Sequence, residues 1–156
     1  MRLGRHGHDE GEGADSALVE LLRHVRLFEN VENKELERIA RSFKERTFNA
    51  GDVIAAEGSS GIGFFVIESG TAKATHGDLL IAELGPGASF GEVALIDEGP
   101  RSATVTAETE LKCWGLSAWE FRPLVETNAT VAWNLARIVA SYVRLATGEL
   151  DKELES

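Results

Sequence analysis

The chain has 156 residues, 43% of them hydrophobic and 27% charged, a composition that builds one ordinary globular core and excludes a wholly disordered chain. Lys and Arg total 16 against 26 Asp and Glu, a formal charge of −10 that repels DNA, RNA and anionic membranes. Apolar runs such as Phe64-Phe65-Val66-Ile67 fall far short of the roughly 20 residues that span a bilayer. No signal-peptide pattern opens the chain, and Cys113 stands alone, which excludes an internal disulfide and a thiolate metal cage and points to a cytoplasmic setting.

Residues 1–15 scatter four glycines among charges and read as a flexible tail. Leu18, Leu21, Leu22, Val25 and Phe28 recur at helical spacing, which predicts an amphipathic helix over 16–27. Leu36, Ile39, Ala40 and Phe43 repeat the pattern after a turn at Glu29-Asn30-Val31, with Asn33 as the expected N-cap. From Gly51 the helical period stops. Ten of the sixteen glycines lie between positions 51 and 99 and punctuate short β-rich runs at 53–54, 64–67, 71–75, 79–84, 103–107 and 111–116. Strands this short, with no long crossover helix between them, predict a mainly β fold, a small jelly roll or sandwich with flanking helices.

Ser117-Ala118-Trp119-Glu120 has the form of a capping box and opens a helix to about Glu126. Asn128 caps a second helix, 129–146, with Val131, Leu135, Ile138, Tyr142 and Leu145 on one face. Trp114, Trp119 and Trp133 read as core and helix packing, and Cys113 as a small buried hydrophobe. The expected organisation is a tail at 1–15, one domain at 16–147 and an acidic tail at 148–156.

Most enzyme chemistry finds no footing. The four histidines form no ligand set with Cys or carboxylates in the ordered region, so neither a metal site nor a metal cofactor is expected. No nucleophile elbow and no phosphate loop occur. Gly85-Pro86-Gly87-Ala88-Ser89-Phe90 begins like a dinucleotide fingerprint, but Phe90 stands where the third glycine belongs. The expectation is a protein without catalytic activity.

The informative segment runs from Gly87 to Val105. Gly91 opens a short helical stretch, Glu92 to Leu95, whose free N–H groups accept an anion. Arg101, held between Pro100 and the strand 103–107, is one of only three bases against ten acids from Thr47 to Leu116, and its planar guanidinium suits a phosphate. Glu92 beside an anion makes sense if it accepts hydrogen bonds from a sugar hydroxyl. The plain alternatives are a surface ion pair of Arg101 with Glu92 or Asp97, a solvated helix-start carboxylate, and a strand-edge Ser102.

Phe90-Gly91-Glu92, Ala94-Leu95, Pro100-Arg101 and Ala103-Thr104-Val105 resemble the phosphate-binding cassette of the cyclic nucleotide-binding domain family, which includes the catabolite activator protein and the regulatory subunit of protein kinase A. Leu27-Phe28, Gly51-Asp52-Val53-Ile54, Glu57-Gly58, Ser69-Gly70 and Gly85-Pro86-Gly87 extend the resemblance over roughly residues 18–147. It implies a β-roll between N-terminal helices and a C-terminal helix pair. By the resemblance, Phe90, Gly91 and Ala94 lie against the ligand, Glu92 binds the ribose 2′-hydroxyl and Arg101 pairs with the cyclic phosphate. Ser102 and Ala103 hydrogen-bond the phosphate, Ile81 and Val93 pack near sugar and base, and Tyr142 on the lid helix stacks on the base. The ligand implied is cyclic AMP, with cyclic GMP the alternative.

The family's transcription factors continue into a helix-turn-helix. Only about nine residues follow the lid here, too few for two more helices, so no DNA-binding domain and no nucleic-acid partner are expected. What remains is a sensor module signalling to an unknown effector protein through its C-terminal helix, hinged at Thr127-Asn128, with a homodimer through that helix among the options. The other reading is an interaction or structural domain of the same fold that has lost nucleotide binding.

Overall fold

The computed structural model describes residues 16–55, 63–92 and 103–155. The tail expected at 1–15 lies outside them. Residues 16–23 form a helix, α1, and a separate 3₁₀ turn follows at Arg26–Phe28, so the helix expected over 16–27 is broken at 24–25. Val25 is extended there, and the break tucks Leu27 and Phe28 into the core. The second helix, α2 (Asn33–Ala40), buries Leu36, Ile39 and Ala40 at the expected spacing. Its N-cap position falls on Glu32 rather than Asn33, whose amide instead accepts from Arg23 at 2.6 Å and donates to Glu37 at 3.1 Å.

The strands are β1 (Lys44–Phe48), β2 (Val53–Ala55), β3 (Gly63–Ser69), β4 (Ala72–His76), β5 (Leu79–Leu84), β6 (Ser89–Phe90), β7 (Thr104–Ala107) and β8 (Leu111–Ser117). They form two antiparallel four-stranded sheets, ordered β1-β8-β3-β6 and β2-β7-β4-β5. β1 and β6 go beyond the sequence expectation. β1 sits on an edge with Lys44, Glu45, Arg46 and Thr47 all exposed, so it never shows the apolar alternation of a half-buried strand.

The β1-β8-β3-β6 sheet has a core on each face. Phe64, Val66 and Leu116 point into a helical core shared with α1, α2 and the C-terminal helices. Phe65, Ile67, Leu111 and Cys113 point into the interior of the roll. A strand buried on both faces reads as a continuous apolar run, as 64–67 does. In the helical core Phe64 packs edge-on against Phe28 and Phe43, with centroids at 6.2 and 6.3 Å, and meets Phe121 at 5.7 Å.

α3 (Ala118–Thr127) starts as expected: the Ser117 N–H and hydroxyl both donate to Glu120 Oε1, at 3.2 and 2.8 Å. Asn128 breaks the helix with φ −124° and ψ 105°, and its Oδ1 accepts the Val131 N–H at 3.0 Å to start α4 (Ala129–Glu155). α4 therefore runs on into the stretch expected as an acidic tail. Val131, Leu135 and Ile138 are buried as expected, whereas Leu145 on the same stripe is 69% exposed. Trp114 packs against the helical core as expected, and the other two tryptophans correct the sequence reading. Trp119 and Trp133 stand 81% and 69% exposed on α3 and α4, and Trp114, half-buried, donates its indole N–H to Glu68 at 2.6 Å.

Candidate functional site

β5 ends one sheet and β6 the other, and the loop between them carries Gly85-Pro86-Gly87. That loop is sewn to β3: Gly87 N–H donates to Ile67 O at 2.8 Å, and Ile67 N–H to Ala88 O at 2.9 Å. Leu84, Ala88 and Phe90, on either side of and within this connection, are partly buried against the roll interior. Phe90 stacks on Phe65 with centroids 5.3 Å apart and planes at 25°. Gly115 makes room for this, since a Cβ there would stand 2.8 Å from the Phe65 ring. Gly115, Phe65 and Phe90 thus form a packed column that fixes where β6 ends.

Gly91 follows with φ +108°, a conformation that side chains with a Cβ rarely adopt. It turns the chain so that Glu92 points inward. Glu92 is only 8% exposed, one of two buried polar side chains among the described residues. A buried carboxylate needs donors. Tyr142 supplies one, its hydroxyl donating to Glu92 Oε2 at 2.9 Å across 50 residues of chain. Burial, reinforced by the charge and hydrogen bond of Glu92, pushes the Tyr142 phenol up to about 12, against the opposing pull of Arg26.

The structure thus joins two residues singled out from the sequence, Glu92 and Tyr142. The contact is made by the tyrosine hydroxyl at the edge of the ring. Ile81 lies on β5 beside an irregularity in the β4–β5 pairing and is 54% exposed, while Ala103 is half-buried just before β7. Val93, Ala94, Arg101 and Ser102 lie outside the described residues, so the phosphate half of the cassette has no geometry here. Among the described residues no group of three His, Cys, Asp or Glu could hold a metal, and no helix is long and apolar enough to cross a membrane.

Sequence reasoning missed Phe65, Gly115 and Asn134. Phe65 is masked by its apolar run, and Gly115 by the many glycines around it. Asn134 had a signal: a polar residue between Val131 and Ile138 on an apolar helix face. Its side chain is 3% exposed and donates to Leu27 O and Glu29 O, at 2.9 and 2.7 Å.

Known proteins resemble the chain in sequence and in fold. It is 36% identical over 112 residues to the cAMP-dependent protein kinase type II regulatory subunit of Drosophila melanogaster, covering 72% of this chain and 30% of that protein. It is 40% identical over 114 residues to a cyclic nucleotide-gated potassium channel of Mesorhizobium japonicum, covering 72% and 31%. The chain therefore spans about a third of the length of these relatives. Among solved structures, the catabolite activator protein of Thermus thermophilus superposes with a TM-score of 0.74 at 32% identity, over 81% of this chain and 62% of that one. A protein kinase A regulatory domain bound to Sp-2Cl-cAMPS superposes with a TM-score of 0.76 at 27% identity, over 88% and 92%. Residues 45–128, more than half the chain, match the cyclic nucleotide-binding domain, and with Phe90, Gly91 and Glu92 following one another at the end of β6 in a two-sheet roll the chain belongs to that family.

Proposed function

We propose that this domain binds cyclic AMP and acts as a regulatory sensor, passing the state of its nucleotide site to a protein partner through the far half of α4. The observation that carries the reading is the buried Glu92 carboxylate, which already meets one hydroxyl donor, that of Tyr142. A ribose 2′-hydroxyl is the same kind of donor. Arg101 pairs with the cyclic phosphate in this reading, and Gly91, Ala94, Ser102 and Ala103 supply the surrounding backbone and hydroxyl groups. Val93 and Ile81 flank the sugar and base. Ser102 in place of threonine leans toward adenine, which keeps cyclic GMP as the competing ligand. Catalysis has no part in the proposal, and the lone thiol of Cys113, buried and pushed up to about 11 by that burial, suits a cytoplasmic setting.

The lid reading takes a narrower form than a helix swinging at Asn128. Val131, Asn134, Leu135 and Ile138 are built into the helical core, so a pivot at the break would drag all four out of it. The stretch after Ile138 is largely exposed and meets the site through Tyr142. A nucleotide moves that stretch only as far as it favours one arrangement over another. The same stretch carries the exposed Val139, Val143 and Leu145, an apolar surface that a second copy of the chain would cover in a homodimer.

Calorimetric titration tests the site. Cyclic AMP should bind, and Arg101→Ala should weaken binding by about 1.5–3 kcal/mol, as for a lost charged hydrogen bond. Cyclic AMP should also bind better than its 2′-deoxy form, with the gap shrinking in Glu92→Gln. Absence of binding, or equal affinities across these proteins and ligands, would leave the alternative: a domain of this fold that serves interaction alone. Amide exchange then tests the lid, with nucleotide expected to slow residues 139–146 as well as the cassette 90–103.

A further inference from the structure

We propose that Asn134 is a positioning residue for Tyr142: it sets the rotation and axial level of α4 against the 3₁₀ turn Arg26–Phe28, and thereby holds the phenol against Glu92. The inference deepens the reading of Tyr142 as the helix's contact with the nucleotide site, and it rests on that reading.

Asn134 is one of the two buried polar side chains among the described residues, and the other is Glu92 itself. Its Nδ2 donates to two carbonyls of one short segment, Leu27 O at 2.9 Å and Glu29 O at 2.7 Å. A side-chain amide has two N–H donors, so both are placed. An apolar residue would fill the space but leave those carbonyls short of a donor. It would also fix no direction, because contacts such as those of Val131, Leu135 and Ile138 tolerate a small slide or roll of the helix. Two hydrogen bonds from one amide do not tolerate it.

Tyr142 lies eight residues further on, a little over two turns along α4 and roughly 80° round it. A helix turns through roughly 100° and rises about 1.5 Å per residue, so a one-residue slip at Asn134 would carry the phenol away from Glu92. Two further links join α4 to the same turn: Arg137 Nη1 meets Glu29 Oε1 at 3.4 Å, and Arg26 Nη1 reaches Ser141 Oγ at 3.4 Å. Both are exposed and weak alone, and they follow the buried amide along the helix in the direction of Tyr142.

The chain contains a single tyrosine, so its ionisation can be read directly by ultraviolet absorbance. The charged groups that act on it are Glu92, which raises its pKa, and Arg26, which lowers it. In the wild type the phenol should stay largely protonated at about pH 11, well past the ordinary tyrosine range. Asn134→Ala and Asn134→Asp should let it titrate back toward the ordinary value of 10.0, while Val131→Ala, which empties part of the same buried helix face, should leave it near 12. Native circular dichroism with an unmoved phenol in either Asn134 variant would overturn the proposal. So would an Asn134→Ala protein that loses its native circular dichroism while Val131→Ala keeps it, because Asn134 would then serve the fold at large. No nucleotide enters this titration, so its failure is distinct from failure of cyclic AMP binding.

Discussion

The two cores on either face of the β1-β8-β3-β6 sheet differ in how they end. The helical core is wrapped by α1, α2, α3 and α4, with Leu22, Leu36, Val66 and Val131 all 0% exposed, and ends in half-buried Leu21, Trp114, Leu124 and Val125. Among the described residues the roll interior is built from strands, with Ile67, Leu111 and Cys113 fully buried and Phe48, Ala74, Leu84, Ala88 and Phe90 half-buried, and Phe90 leads directly into Gly91 and Glu92. The helical core serves stability, whereas the roll interior also adjoins the residues proposed to meet a ligand. The difference teaches where changes should act: behind the sheet on folding, in front of it on folding and binding together.

The largest expected effect breaks the helical core. Phe64→Ala removes a ring packed against three others and should destabilise the fold by about 3–5 kcal/mol, measured by denaturant unfolding. The folded fraction should keep its nucleotide affinity, and a matching loss of affinity would dissolve the distinction between the cores. Gly115→Ala comes next. Its new Cβ would press the Phe65 ring at 2.8 Å and drive it toward Phe90, costing about 1–3 kcal/mol of stability. Here affinity should fall as well, since the strain is passed to Gly91 and Glu92. Intact affinity would show that the column does not reach the site.

The smallest effect belongs to the contact between the two regions. Tyr142→Phe deletes the hydroxyl that meets Glu92, and at a side chain 45% exposed this should cost under about 1 kcal/mol. The pH dependence has a definite sign. The folded-state pKa is raised, so the hydroxyl's contribution is fully present below the ordinary value of 10.0 and is lost as pH climbs through about 12. Unfolding curves of wild type and Tyr142→Phe should therefore differ by a constant amount at neutral pH, with the wild-type advantage shrinking and then disappearing above pH 10. A constant gap throughout would remove Tyr142 from the link.

Much of this was legible because it is local. The capping residues Ser117 and Asn128, the heptad-like spacing of Val131, Leu135 and Ile138, and the turn glycines each state their structure within a few residues. The cassette is legible for the same reason, as one contiguous stretch. What stayed hidden depends on distant partners. β1 is polar because it is an exposed edge, and nothing in Lys44–Phe48 announces its pairing with β8. The tryptophans mislead because large rings usually go inside, and only the packed helices show that Trp119 and Trp133 are left outside.

The sequence by itself determined the family and the run of short strands between helices. These rest on residue chemistry at short spacing, which the chain carries wherever it goes. Only the tertiary structure decided that Glu92 is buried and meets the Tyr142 hydroxyl, that Gly115 and Phe65 hold Phe90 in place, and that Asn134 ties α4 to the turn before α2. Each of these joins residues 25 or more positions apart, where burial and hydrogen-bond direction are set by which surfaces the fold brings together, and no local pattern encodes that.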